Sequence, residues 1–304
     1  MPTRLKLEQW RQARRIHGGL VPMLGAALGV KLARVPIPGR QLRRRLLKGV
    51  FGGKYPAVNE RELDRPLEEF RSLNDVFTRG VRAGSRNPWP PFAGFVSPCD
   101  GRIQQAGTLR PEAVLTAKGI GYQLDSLAPR TNTEPFHGGR FAVVFLAPSD
   151  CHRVFAPASG RLTAVTHVPG SRLLVHPHCQ RPEFPVFTLN ERLVLELETD
   201  FGPALVVMVA GWGVGCMTFP FESPVSPQRR QISHVRLAEP RSLVVGEWLA
   251  TFELGSTVIL ITGPGEPCPE VVWDDDPVRF GQPLFPGGPG SELPTALDPA
   301  GGLR

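Results

Sequence analysis

A helical N-terminal region followed by a mostly antiparallel β body is the fold this sequence predicts, and three features predict it. Two stretches near the N-terminus carry helical spacing and flank the breaker Pro36-Ile37-Pro38-Gly39. From about Phe95 onward, short apolar and β-branched runs take over, each bounded by Gly or Pro. Helical stretches between those runs are scarce, which argues against a doubly wound fold, where strands and helices alternate.

Taken in order, residues 3–16 and 39–52 read as helices. Between Leu67 and Arg79 the apolar positions Leu67, Phe70, Leu73, Val76 and Phe77 fall near helical spacing. The strands are expected at Phe141–Leu146, Arg161–Val168, Arg192–Glu198, Ala204–Val209 and Ser256–Ile261. The Gly- and Pro-rich segment 286–304 reads as a disordered tail. Three regions follow: a basic helical segment over 1–58, a β-rich body over 59–285, and the tail.

At 304 residues, 41% hydrophobic and 21% charged, the chain is globular in composition. It has no run of 18 apolar residues, so no membrane-crossing helix is expected. The apolar stretch Gly18–Val30 is interrupted by Pro22 and followed by Lys31 and Arg34, which does not fit a signal peptide. The five cysteines (Cys99, Cys151, Cys179, Cys216, Cys268) are scattered and never form a Cys-x-x-Cys pair, as expected in a reducing compartment.

Charge is distributed unevenly. Residues 1–50 hold twelve Lys or Arg against one acid, Glu8, a net +11 where the whole chain carries +7, so the remainder carries −4. A basic segment on a mildly acidic body calls for an anionic surface as partner. Leu5, Trp10, Leu20, Leu24 and Leu28 interleave with the basic residues, and Leu42, Leu46, Leu47, Val50 and Phe51 flank Arg43–Arg45. That mixture selects an anionic phospholipid membrane over nucleic acid.

The stretch that carries chemistry is Leu254-Gly255-Ser256-Thr257, directly before the strand Val258-Ile259-Leu260. Glycine lets the backbone bend tightly and leaves its carbonyl approachable. A serine just after it can fold its hydroxyl back onto that carbonyl. Gly-Ser alone is a common turn pair, so the surrounding blocks decide its meaning. These are Ser97-Pro98-Cys99-Asp100-Gly101, Leu146-Ala147-Pro148-Ser149-Asp150-Cys151-His152-Arg153-Val154-Phe155-Ala156-Pro157, Leu189-Asn190-Glu191-Arg192 and Gly281-Gln282-Pro283-Leu284. Phe77-Thr78-Arg79 and Ala117-Lys118-Gly119 add to them. In this order the blocks resemble the phosphatidylserine decarboxylase family over roughly residues 60–285.

The resemblance implies an α+β fold and a proenzyme that cuts itself between Gly255 and Ser256. The serine remnant would become a covalent pyruvoyl group, the chain's only cofactor. That group would form a Schiff base with the substrate amine and accept electrons as carbon dioxide leaves. The implied reaction converts phosphatidylserine to phosphatidylethanolamine, and the implied assembly is a homodimer. The implied place is the cytoplasmic face of a bacterial cell membrane, held peripherally. Processing in the family uses an Asp–His–Ser relay, in which the imidazole removes the serine proton and the carboxylate orients the ring. Asp100 matches the carboxylate and Ser256 the nucleophile. His152 matches a histidine that meets the substrate carboxylate or returns a proton to carbon.

The chain departs from the family at the relay histidine, whose position is Phe155. Phenylalanine cannot take a proton. Residues three apart on a regular strand face opposite ways, so His152 replaces the lost base only if the segment bends. His176, His178 and His234 are the other imidazoles to weigh. Two alternatives follow: an impaired or inactive lipid-binding homologue that kept the scaffold, and a pyruvoyl-dependent decarboxylase of a soluble amino acid, which the basic N-terminal region disfavours. Gly211-Trp212-Gly213-Val214-Gly215 lacks the following helix that a dinucleotide loop requires. His176-Pro177-His178-Cys179 lacks a second pair at ligand spacing, so no metal is expected.

Overall fold

The computed structural model describes residues 3–16, 18–53, 58–85, 93–110, 114–211, 217–226, 231–253, 256–265, 271–272 and 277–286. The expected cleavage residue Gly255, most of the Gly211–Gly215 loop and the tail from 287 onward lie outside these residues, as do Cys216 and Cys268.

Three helices open the chain: α1 (Thr3–Ile16), α2 (Leu20–Leu32) and α3 (Arg40–Gly53). The second is apolar all round and carries Pro22 in its first turn, where a missing N–H costs nothing, so neither periodicity nor a breaker rule announces it. The helical spacing over 67–79 resolves into a 3-10 turn, Leu67–Glu69, and a short helix α4 (Leu73–Phe77). Phe70 caps the end of the first, and Ser72 starts the second, its hydroxyl accepting the Asp75 N–H as an N-cap.

On α3 the apolar residues divide between two faces. Leu47 and Phe51, one turn apart, are buried against Leu63, Leu67, Phe70 and Val76. Leu42, Leu46 and Val50 point outward with the arginines. The lipid-facing set expected from the sequence therefore loses Leu47 and Phe51 to the core.

The body begins with β1 (Gly94–Val96), β2 (Gly101–Thr108) and the hairpin of β3 (Val114–Ala117) and β4 (Ile120–Gln123). The hairpin turns on Lys118 and Gly119, both at positive φ, which explains the Ala117-Lys118-Gly119 block. After the short helix α5 (Leu124–Leu127) come β5 (Gly139–Leu146), β6 (Arg153–Phe155) and β7 (Gly160–Val168). Helix α6 (Val186–Leu189) precedes β8 (Arg192–Thr199), β9 (Gly202–Ala210), β10 (Met217–Thr218) and β11 (Ser233–Leu243). The chain closes with β12 (Trp248–Phe252), β13 (Ser256–Pro264), β14 (Val271–Val272), β15 (Pro277–Val278) and β16 (Pro283–Pro286).

Nine of these strands form one antiparallel sheet in the order β11-β7-β8-β9-β13-β5-β2-β14, with β15 also on β2. The fold is α+β. Both faces of the central strands are covered, so β5, β9 and β13 read as near-continuous apolar runs. On one face Val144, Leu146, Val206, Met208, Val258 and Leu260 pack under the small sheets β1-β16 and β10-β12-β6. On the other, Val143, Phe145, Val207, Val209, Ile259 and Ile261 pack under the β3-β4 hairpin, α5, α6 and the 173–187 segment.

Candidate active site

Ser256 begins β13 in the middle of the large sheet, where its Cα pairs with Leu146 on β5 and Ala210 on β9. At the other end of the same region, the N–H of Phe252 donates to the His152 carbonyl at 3.0 Å. The segment 252–256 is thus tied at both ends to the segment 146–152. Whatever happens at the Gly255–Ser256 bond happens beside the Leu146–His152 loop.

That loop is held from several sides. The Asp150 N–H donates to the Ala147 carbonyl at 2.9 Å, and the Ala147 N–H donates back to Asp150 Oδ2 at 2.7 Å. Burial lifts the Asp150 carboxyl to about 6. The Ala147 N–H opposes the rise, the Asp100 charge adds to it, and Arg102 and Arg79 oppose it. The Arg79 guanidinium donates to the Ser149 carbonyl at 2.5 Å and to the Val76 carbonyl at 3.2 Å. Cys151 Sγ lies 3.6 Å from the Arg79 carbonyl. The Phe77 ring packs on His152, centroids 4.5 Å apart. Phe77-Thr78-Arg79 is therefore the clamp of this loop, a role its sequence alone did not reveal.

His152 is fully buried. Its Nδ1 sits 2.9 Å from the Asp150 carbonyl, which only accepts, so Nδ1 carries the proton and Nε2 is left as a lone pair. That Nε2 is buried without a hydrogen-bond partner. Burial, and then the nearby Arg79 charge, push the imidazole down to about 3, so it is neutral at physiological pH; the bond to Asp150 opposes the shift. His152 faces Phe77, whereas Phe155, three residues on, stacks on Phe280 with centroids 4.0 Å apart and planes 22° apart. The segment does not bend to bring His152 into the relay position.

Asp100 nonetheless keeps its place beside that position. The buried carboxylate accepts the Phe280 N–H at 3.0 Å, and the Phe155 N–H donates to the Pro98 carbonyl at 2.7 Å. The Ser97 and Gly281 backbones are bonded to Gln282 and Ser97 respectively, which brings in the 281–284 block. Gly101 explains the Asp-Gly pair: at φ 155° a Cβ there would lie 2.3 Å from the Phe145 carbonyl oxygen.

The Asn190-Glu191-Arg192 block anchors the other neighbour of Ser256. Asn190, fully buried, donates to the carbonyls of Ala210 at 2.7 Å and Leu173 at 2.9 Å and accepts the Leu173 N–H at 2.9 Å. The Ala210 N–H donates to the Glu191 carbonyl at 2.9 Å. Arg192 is spent on the carbonyls of Leu127, Ser126, Thr188 and Asn190. On the remaining side, Glu253 receives Asn74 at 3.3 Å and Arg34 at 3.4 Å, so the helical layer grips the residue just before the expected cleavage segment.

The remaining histidines stand apart. His176 packs edge-on against Phe145, whose Cα pairs with Thr257, on the opposite face of the sheet from Leu146. His178 follows His176 outward, with ring centroids 5.1 Å apart. His234, on the edge strand β11, bonds Thr166 of β7; β11 is four strands from β13 and so roughly 19 Å away.

Residues 73–285 match the phosphatidylserine decarboxylase family. The chain is 34% identical over 253 residues to the phosphatidylserine decarboxylase proenzyme of Nitrosococcus oceani, covering 80% of each. It is 35% identical over 275 residues to that of Halorhodospira halophila, covering 88% of this chain and 91% of the relative. With the Bordetella petrii proenzyme it shares 35% over 238 residues, 75% of this chain and 81% of the relative. A β body in which these separated blocks meet around one strand start is the scaffold of a carboxy-lyase. The chain belongs to the phosphatidylserine decarboxylase family.

Proposed function

We propose that this chain decarboxylates phosphatidylserine to phosphatidylethanolamine at a membrane surface, after cutting itself between Gly255 and Ser256. The observation that carries the reading is the double tie of segment 252–256 to the Leu146–His152 loop, with Asp100 and position 155 joined through Phe280.

The residues fit a pyruvoyl group at position 256. One buried polar atom on the loop tied to that segment, His152 Nε2, is left without a partner by the precursor. The group would be held covalently at the start of β13, and it supplies a ketone that withdraws electrons as carbon dioxide leaves. Its neighbours do the rest. A bare Nε2 cannot donate to the substrate carboxylate, so of the two roles the family resemblance allows His152, the proton carrier fits better. Because burial disfavours its cation, a proton placed on Nε2 is readily given back to carbon.

Membrane contact rests on the distribution of apolar side chains. Among the described residues, eleven of the fourteen large hydrophobic side chains that are exposed lie between Leu7 and Val50, interspersed with Lys and Arg. No helix of the described residues is long and apolar enough to cross a bilayer, so the contact proposed is interfacial. The basic face suits the anionic cytoplasmic leaflet.

A second reading, a lipid-binding homologue without activity, draws on the Phe155–Phe280 stack, which fills the relay position with an inert ring. Intact-mass analysis of the purified chain separates the two. Fragments of residues 1–255 and 256–304, absent from Ser256→Ala, support the enzyme. A single full-length species that persists even in Phe155→His supports the second reading.

A further inference from the structure

With Phe155 in the relay position, the chain needs another group to take the Ser256 proton. We propose that Asp150 is that base. The proposal rests on the self-cleavage reading above and names the group that drives it in this chain.

The loop geometry places Asp150 on the segment that pairs with the start of β13. It lies on the stretch between Leu146, the cross-strand partner of Ser256, and His152, whose carbonyl holds Phe252. Cross-strand Cα atoms are about 5 Å apart, and Asp150 Oδ2 is one hydrogen bond from the amide nitrogen that follows Leu146, so the carboxylate lies within about 10 Å of the Ser256 Cα. Oδ2 is occupied by that bond at 2.7 Å. Oδ1 takes no hydrogen bond from any described residue. It has lone pairs to spare and is braced by its own turn.

The charges around it suit a base. Burial raises its proton affinity and Asp100 adds to it, while the Ala147 N–H, Arg102 and Arg79 keep it from being locked in the protonated form; the balance lies at about 6. Taking up a proton turns a buried anion into a neutral acid, which the site tolerates. The competing groups fare worse. Protonating His152 would create a second buried cation next to Arg79. Asp100 is held on the Phe280 backbone beside the ring of Phe155, and in a relay a carboxylate reaches serine only through an imidazole. His176 is on the far face of the sheet and His234 four strands away.

In the step, Asp150 accepts the hydroxyl proton as Oγ of Ser256 adds to the carbonyl carbon of Gly255. The Gly255–Ser256 C–N bond then breaks, the proton passes to the departing nitrogen, and an ester between Gly255 and the Ser256 side chain results. Loss of the Ser256 Cα proton and cleavage of the Cβ–O bond releases Gly255 as a carboxylate and leaves a carbon–carbon double bond at residue 256. Isomerisation to the imine and hydrolysis by solvent water release ammonia and leave the ketone. Water is the only co-reactant.

The test compares four full-length proteins by intact mass over time: wild type, Asp150→Asn, Phe155→His and the double variant. Asparagine keeps an oxygen to accept the Ala147 N–H, so the turn is preserved. The expected result is cleavage in wild type, at least 100-fold slower cleavage in Asp150→Asn, and cleavage in the double variant within a few-fold of Phe155→His. The double variant distinguishes a base from a brace, since an imidazole at 155 replaces a lost base but not a lost turn. Wild-type rate in Asp150→Asn, equal slowness in Asp150→Asn and the double variant, or cleavage in Phe155→His but not in wild type would each overturn the assignment of Asp150. Absence of cleavage in all four would overturn self-cleavage itself.

Discussion

Asn190→Ala tests whether β9, the strand beside the proposed cleavage site, is held as described. The amide of Asn190 makes three buried hydrogen bonds, to the Leu173 N–H, the Leu173 carbonyl and the Ala210 carbonyl. Alanine removes all of them at once. A buried polar group left without a partner costs about 1–3 kcal/mol, and water entering the space returns part of it, so the loss of stability is about 3–6 kcal/mol. The measurement is urea unfolding of the uncleavable Ser256→Ala precursor with and without the substitution, so that cleavage does not mix two species. Asn190→Asp retains the acceptor for the Leu173 N–H, loses both donors and buries a charge, so it is expected to be no less damaging than alanine. A difference under about 1 kcal/mol for Asn190→Ala would refute the argument, because Ala210 and Leu173 would then be held by other means. If the argument stands, maturation of Asn190→Ala with Ser256 restored also slows, since Ala210 sets the backbone position of its partner Ser256.

Other outcomes follow from the same structure. His152 binds protons less well folded than unfolded, so its contribution to stability is present above pH 6.5 and is lost as the pH falls toward 3. By pH 5 this amounts to about 2 kcal/mol, and His152→Gln in the Ser256→Ala background should remove that component of acid sensitivity in melts at pH 7 and pH 5. Leu47→Ala, in the buried face of α3, should cost about 2–5 kcal/mol in thermal unfolding. Leu46→Ala, exposed on the same helix, should leave the melt unchanged and weaken binding to phosphatidylserine-containing vesicles about tenfold. Phe155→His should lower the stability of the uncleavable precursor by about 1 kcal/mol through loss of the Phe280 stack, while speeding cleavage by up to about 100-fold with Ser256 present, the part of a base's contribution that Asp150 does not already supply.

How far the fold could be read in the sequence depended on the range of the forces involved. The strands around Phe141–Leu146, Ala204–Val209 and Ser256–Ile261 were legible because strands covered on both faces are apolar throughout. Helix α2 was not, since burial and lipid exposure both favour an apolar surface all round. The division of α3 into a core face and an outward face could not be read either, because Leu46 and Leu47 are chemically the same residue and only what packs on them differs.

For the site, the order of the blocks and the loss of an imidazole at Phe155 were written in the chain itself, since residue identity alone settles whether a side chain can carry a proton. Their meeting was not. Phe280 against Phe155, Arg34 on Glu253 and Asn190 on Ala210 join residues far apart in sequence, and no local pattern encodes such contacts. Asp150 was visible as a letter in a familiar block. Its raised proton affinity comes from burial and from the Asp100 charge, opposed by Arg102 and Arg79, groups that only the folded chain brings close.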